Sequence, residues 1–427
     1  MKLSIEKAIY GGSGLARADG KAIFVPFTLP GEEVEAEIVS DKGGFATAEL
    51  QSVLEPSPAR TNPPCLYFGK CGGCHYQHAN YATQIDMKLA ILRESLERAR
   101  IQEIPTITPV TAEPLGYRNR IRLHIQKNPF SLCYKFRKSH TNFPVDACPI
   151  ASPILQRAID TLNREGKSLN LVESVTEIEL FTNPDESAVL VSLWTDHPAP
   201  AAKQIVDKLS PPLRQMFPQI QAIGIFAIER NRTTNKLLAH TGSGFLTYAS
   251  KDRHYRVGLG SFFQVNRFLI DPLVDLVTAG EQGSFAWDLY AGVGLFSLPL
   301  TDHFTEVTAV ESSPSAVRDL RENLRHTKHR IVAAETAAFL RQALAQHYAI
   351  PDLIVVDPPR AGLLRDVTDA LAKIRPRKIT YVSCDPSTLS RDLAALVESG
   401  YRLRNMRLLD LFPQTYHLET ITHLALD

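Results

Sequence analysis

The sequence predicts an α/β protein whose C-terminal third is a doubly wound sheet, preceded by a small β-barrel and a central α+β region. Strand-like and helix-like runs alternate from about residue 285 onward, the pattern of a parallel sheet covered by helices. Short β-rich runs between glycine and proline turns fill the first 56 residues. A proline-bounded cysteine window separates the two. At 427 residues the chain is too long for one core. The expected domains are 1–56, 57–250 and 251–427, with residues 83–111 packing on the last.

A hydrophobic fraction of 44% and a charged fraction of 22% are ordinary for a globular protein. No apolar run approaches the ~20 residues that span a bilayer, and MKLSIEKAIYGG lacks a signal-peptide pattern. A cytoplasmic monomer without membrane contact is expected, where clustered thiols favour metal over disulfides. The net charge of +1 provides no global field, so nucleic acid would have to be met by local patches.

In the first segment Ile5–Tyr10, Ala22–Val25 and Val34–Val39 read as strands of an OB-type barrel. Acidic residues outnumber basic ones there, which weakens it as a phosphate-binding surface. Ile85, Leu89, Leu92 and Leu96 recur at helical spacing. Residues 112–250 are strand-rich, as in 178–181 and 188–193. Beyond them, Phe285–Tyr290 reads as a strand, and Ala291-Gly292-Val293-Gly294 as a turn into a helix. Strands at 307–311, 331–332, 353–356 and 379–382 alternate with helices at 314–326, 335–346, 364–374 and 386–398. Ligands bind such sheets at the carboxyl ends of the strands. Asp288, Glu311, Asp357 and Cys384 fall at those ends.

The turn after the first of these strands reads Asp288-x-Tyr290-x-Gly292-x-Gly294, without the third glycine of a dinucleotide site. An acid before the turn suits a cationic ligand, and Glu311 is placed to accept ribose hydroxyls. Together they fit S-adenosylmethionine, whose amino group and sulfonium are positive. In Asp357-Pro358-Pro359-Arg360 the prolines stiffen a loop that aims Asp357 at the cofactor or at N3–H of uracil. Cys384 precedes Asp385-Pro386, a helix start, where exposed amides are expected to favour its thiolate. Uracil C5 is too weak a nucleophile to attack a sulfonium methyl. Thiolate addition at C6 gives C5 carbanion character, and a base must then remove the C5 proton. Glu419 is the candidate base.

Cys65, Cys71 and Cys74 stand as C-x5-C-x2-C, three thiolates of a metal site that needs a fourth ligand. On ligand type alone zinc and a [4Fe–4S] cluster are equal, and His75 and His78 keep a Cys3His zinc site open. Cys133 reads as a core thiol. Arg118, Arg120 and Arg122 alternate along one expected strand face beside Tyr117, with Lys135, Arg137, Lys138 and His140 following. Such cations and aromatics suit single-stranded RNA. Phe262 and Phe263 beside Gln264 suit a base turned out of its stack.

Phe262-Phe263-Gln264-Val265-Asn266, Asp288–Gly294, Asp357–Arg360, Ser383-Cys384-Asp385-Pro386 and His417-Leu418-Glu419 resemble, in order, the motifs of the RNA 5-methyluridine (uracil-C5) methyltransferases. Residues 1–56 resemble a TRAM domain, and Cys65-x5-Cys71-Gly72-Gly73-Cys74 resembles the family's iron–sulfur signature. The resemblance spans nearly the whole chain. It implies a Rossmann-like S-adenosylmethionine-dependent methyltransferase domain, an OB-like TRAM barrel and a central iron–sulfur domain. It implies that Gln264, Tyr290, Glu311 and Asp357 contact the cofactor, with Asp288 and Gly292 completing that set. Cys384 would be the nucleophile, Glu419 the base, and Cys148 the fourth ligand of a [4Fe–4S] cluster in preference to zinc. Ala291 and Leu295 depart from the pattern, where relatives carry Cys and Asn, which removes one polar contact to the cofactor. The implied substrate is 23S ribosomal RNA, with transfer RNA as the alternative. The opposing expectation is a non-catalytic iron–sulfur RNA-binding protein.

Overall fold

The computed structural model describes residues 1–169, 171, 175–228 and 236–426. Its first sheet holds β1 (Lys2–Ser4), β2 (Lys7–Ile9), β3 (Ser13–Ala18), β4 (Lys21–Pro26), β5 (Glu33–Asp41) and β6 (Phe45–Glu55), in the order β1-β5-β6-β4-β3-β2. The strand expected at 5–10 is shorter, Lys7–Ile9, and Ile5 and Glu6 form a bend that joins it to β1. Ile5 N–H donates to Glu32 on the β5 side and Glu6 N–H to Leu15 on the β3 side. One bent segment thus pairs with both edges and closes the sheet. Leu3, Ile23, Val25, Val34, Ala36, Ala46 and Ala48 fill the interior.

Asn80 caps α1 (Tyr81–Arg98) by accepting from the Thr83 N–H. Next come β7 (Ile107–Val110), β8 (Arg120–Gln126), β9 (Ser131–Lys135), β10 (Asn142–Pro144), α2 (Pro153–Glu165), β11 (Glu177–Thr182), β12 (Val189–Thr195), α3 (Ala199–Met216), β13 (Ile220–Ala227) and β14 (Leu237–Gly242). The central sheet runs β10-β9-β8-β11-β12-β13-β14. The apolar faces of α2 and α3 cover it through Ile159, Leu162, Val206 and Leu209. A hairpin of β15 (Phe245–Ser250) and β16 (Arg253–Gly258) leads onward.

The last region comprises α4 (Ile270–Thr278), β17 (Gly283–Leu289), α5 (Ser297–Leu300), β18 (Phe304–Glu311), α6 (Pro314–Leu324), β19 (His329–Ala333), α7 (Thr336–Ala345), β20 (Leu353–Val356), α8 (Arg365–Ile374), β21 (Lys378–Ser383), α9 (Pro386–Glu398), β22 (Tyr401–Leu409) and β23 (Glu419–Leu426). The sheet order is β19-β18-β17-β20-β21-β23-β22-β7. The strands β17 to β21 are parallel, and the order reverses beside β17, which makes that point the binding crevice.

Two expectations need correction. The sheet is not parallel throughout, because β23 runs antiparallel to both β21 and β22. The glycine turn does not open directly into a long helix. Gly292 and Gly294 have φ of 56° and 91° and prolong the turn, so α5 has only four residues. The early segment also enters this region: β7 pairs with β22, and Ile85, Ile91, Leu92 and Leu96 of α1 share its core. Among the described residues no helix is long and apolar enough to cross a membrane.

Candidate active site and a cysteine-lined cavity

The antiparallel turn of the sheet brings two distant residues together. Ser383, the last residue of β21, pairs with Thr420, so Cys384 and Glu419 continue the same ladder on adjacent strands. The Glu419 carboxyl is almost fully buried. Burial raises its pKa well above the carboxylate range, the Asp357 charge adds to that, and Arg360 opposes it. The Cys384 thiol is pushed up to about 12 by burial and by Glu419 and Asp357, again against Arg360. Asp385 caps α9, and its carboxylate accepts from the Ser387 and Thr388 N–H groups.

At the switch point, Asp288 is fully buried and accepts from the Ser297 hydroxyl through one oxygen. Its other oxygen has no partner, and burial raises its pKa to about 7. Glu311 adds to that rise, and Asp288 in turn raises Asp357. These carboxyls repel one another in a dry site, an arrangement completed by a cation. Glu311 accepts from Gly292 N–H at 2.8 Å and from Ser312 and Ser313 N–H, pinning the glycine turn to the end of β18. Tyr290 holds a φ of 66°, a left-handed conformation that is strained for a tyrosine and clusters at functional sites.

Gln264 is buried, and its carbonyl accepts from the Asn119 amide at 3.0 Å. Of the two phenylalanines beside it, Phe263 lies in the core against Tyr248, while Phe262 is 65% exposed. Only Phe262 is available to a base. Sequence reading missed Asn119, Ser297 and Asp319, whose carboxylate accepts from Gly258 N–H and the Ser261 hydroxyl below the Phe262 loop. These are common polar residues in unremarkable surroundings, and only their partners mark them out. Arg360 stood in a quoted motif without a role, and it is the cation facing both Cys384 and Glu419.

Cys65, Cys71, Cys74 and Cys148 line one cavity of about 340 Å³ with Tyr67, Phe68, Arg118 and Tyr134. All are free thiols. Burial pushes Cys71 up to about 11 and Cys74 up to about 12, and the neighbouring thiols add to both rises. Neither His75 nor His78 lines the cavity. Among the described residues no group of three or more His, Cys, Asp or Glu side chains is gathered to hold a metal ion. Cys133 is buried in the core.

The three arginines do not share one open strand face. Arg118 precedes β8 and lines the cysteine cavity, with its Nε unpartnered. Arg120 lies over the Phe181 ring and faces Glu179 at 3.7 Å; Arg122 lies over Trp194 and donates to Glu177 at 2.6 Å. Tyr117 is fully buried, donating to the Pro413 carbonyl. The exposed cations cluster instead on the β9–β10 hairpin and the cysteine segment, where Arg137 N–H donates to the Lys70 carbonyl and Lys135, Lys138 and His140 lie nearby.

A crevice that calls for a cation beside a nucleophile position is the requirement of an S-adenosylmethionine-dependent methyltransferase, and known proteins agree. A family profile described as tRNA (uracil-5-)-methyltransferase matches residues 80–426, and a TRAM domain profile matches residues 1–51. An uncharacterized RNA methyltransferase of Aquifex aeolicus is 34% identical over 99% of this chain and 97% of its own. A 23S rRNA (uracil(1939)-C(5))-methyltransferase RlmD of Alkalilimnicola ehrlichii is 32% identical over 98% and 95%. The crystal structure of Pyrococcus abyssi tRNA (uracil-54, C5)-methyltransferase with S-adenosyl-L-homocysteine matches with a TM-score of 0.76, 25% identity and full coverage of both chains. The chain belongs to the tRNA (uracil-5-)-methyltransferase family, a family of S-adenosylmethionine-dependent RNA uracil methyltransferases, and carries a TRAM domain at its N-terminus.

Proposed function

We propose that this enzyme methylates C5 of one uridine in 23S ribosomal RNA in the cytoplasm, with Cys384 as nucleophile and Glu419 as base. The observation that carries the mechanism is the β21–β23 register: Ser383 pairs with Thr420, so Cys384, just beyond β21, and Glu419, at the start of β23, lie at the same end of the sheet. S-adenosylmethionine, when bound, supplies the methyl group as a sulfonium. Its positive charge answers the carboxyls of Asp288, Asp357 and Glu311, among which Glu311 raises the pKa of Asp288 and Asp288 that of Asp357. The proposal gives Gln264, Tyr290 and Gly292 to the same cofactor, supported by the buried Gln264 and the left-handed backbone of Tyr290 and Gly292.

The Cys384 proton passes to water, which leaves Glu419 free as a carboxylate for the later step. The sulfur then bonds to uracil C6, and the C5=C6 electron pair moves toward O4 as an enolate. C5 forms its bond to the methyl carbon as the carbon–sulfonium bond breaks. Glu419 takes the proton from C5, the double bond re-forms, and the Cys384–C6 bond breaks to return the thiolate. Phe262, exposed beside Gln264, supports the extruded uracil, and Lys70, Lys135 and Lys138 meet the backbone phosphates.

For the cysteine cavity we favour a [4Fe–4S] cluster held by Cys65, Cys71, Cys74 and Cys148, a centre that keeps a fold rigid and accepts or releases one electron. Four free thiols around one cavity support it.

The ribosomal substrate is supported by relatives named as 23S rRNA methyltransferases. The structural match to a tRNA enzyme supports transfer RNA as the second reading. Mapping 5-methyluridine in both RNAs from cells lacking the protein separates them: loss from 23S rRNA is expected, and loss from transfer RNA alone overturns the assignment. A Glu419→Gln variant is expected to accumulate a methylated covalent RNA–protein adduct, and normal turnover removes Glu419 as base.

A further inference from the structure

The segment Asp410–Leu418 joins β22 to β23 and ends at Glu419. A hairpin loop of this length ordinarily lies exposed and mobile. Here it is buried and bonded from several directions. From α1, Lys88 Nζ donates to Asp410 Oδ1 at 2.6 Å and to the Phe412 carbonyl at 3.0 Å. Tyr81 donates to the other Asp410 oxygen at 2.9 Å. Gln84 and Gln414 are paired twice: the Gln84 amide donates to Gln414 Oε1, and Gln414 N–H donates to Gln84 Oε1, both at 3.0 Å. From the cysteine segment, His75 and Tyr76 N–H donate to the Gln414 carbonyl at 2.8 and 3.0 Å. Asn266, the last residue of the Phe262–Asn266 motif, donates to the Leu411 carbonyl at 3.1 Å.

Lys88 and Asp410 are 0% and 1% exposed. A buried ion pair is poor at stabilising a fold, because desolvating two charges offsets most of their attraction. What such a pair does well is fix one arrangement, since any shift of the loop leaves a charge unpaired in a dry interior. Gln414 also holds a φ of 68°, a strained conformation retained here by its paired amide.

We propose that Lys88 and Gln84 are positioning residues for the methyl-transfer reaction. They act through the Asp410–Leu418 loop to hold Glu419 against the uracil C5 proton, with the cysteine segment bracing the loop from its other side. The proposal rests on Glu419 being the base. Its particular consequence is that loosening the clamp slows elimination and leaves Cys384 addition and methyl transfer in place.

The test compares Lys88→Met, Gln84→Met and Glu419→Gln in full-length enzyme with substrate RNA and S-adenosylmethionine, well below each variant's melting temperature. Lys88→Met and Gln84→Met are expected to accumulate the methylated covalent adduct. They should lose up to about a hundredfold in kcat, the cost of an ångström-scale misplacement, with KM for both substrates within about twofold of wild type. Loss of activity without adduct in Gln84→Met, or wild-type turnover in Gln84→Met, overturns the proposal. If Lys88→Met does not fold, Gln84→Met decides alone. Normal turnover in Glu419→Gln defeats the base assignment and the clamp with it. Adduct in Glu419→Gln with wild-type behaviour in Gln84→Met defeats only the clamp.

Discussion

The two cysteine regions share one property and differ in what relieves it. In both, burial drives thiols toward their neutral form, Cys71 and Cys74 in one and Cys384 in the other. Cys384 faces carboxyls and one guanidinium, Arg360. The other four face one another and a different guanidinium, Arg118. The difference lies in geometry. A single thiol at a strand end leaves one face open for a bond to carbon, whereas four thiols around a cavity surround whatever they bind.

The largest expected effect separates the two regions outright. Cys384→Ala should abolish methylation, a loss of at least about a thousandfold for removal of a nucleophile, and should form no adduct with 5-fluorouridine RNA. An unchanged adduct would move the chemistry elsewhere. Cys71→Ser should instead release iron and sulfide from anaerobically purified protein and lower the melting temperature, since metal binding is linked to folding. Zinc without iron in the wild type would overturn the cluster.

The acidic half of the comparison is read by pH. The Asp288 pKa of about 7 stands above an unfolded value near 4, so its contribution is full below about pH 4 and is lost as pH rises through 7. Replacing Asp288 by Asn should flatten the fall in melting temperature across that window, a difference on the order of 4 kcal/mol when integrated. An unchanged profile would show that another group governs it. The smallest effect belongs to Arg360. Arg360→Met removes the cation that holds Cys384 and Glu419 down. It should shift the alkaline onset of kcat upward by about one pH unit, and an unshifted profile would leave the guanidinium with the RNA alone.

The strand-end residues Asp288, Glu311, Asp357 and Cys384 were legible because alternating apolar strands end where polar residues begin, and each does lie at such an end. The arginines were not. Alternation predicts which side chains share a face, but not whether Glu177 and Glu179 of the neighbouring strand oppose them. A helix start is visible in Asp385-Pro386, but the burial beside Glu419 and Asp357 that raises the Cys384 thiol is not.

The sequence by itself determined the class of sheet, the strand ends that carry the chemistry and the spacing of the first three cysteines. These follow from local periodicity and from which residues follow one another. Only the tertiary structure decided that β23 returns antiparallel beside β21, that Cys148 joins Cys65, Cys71 and Cys74 at one cavity, and that α1 grips the loop before Glu419. Each is a contact between residues dozens to hundreds of positions apart. Such contacts are set by the packing of whole elements, and no local pattern encodes them.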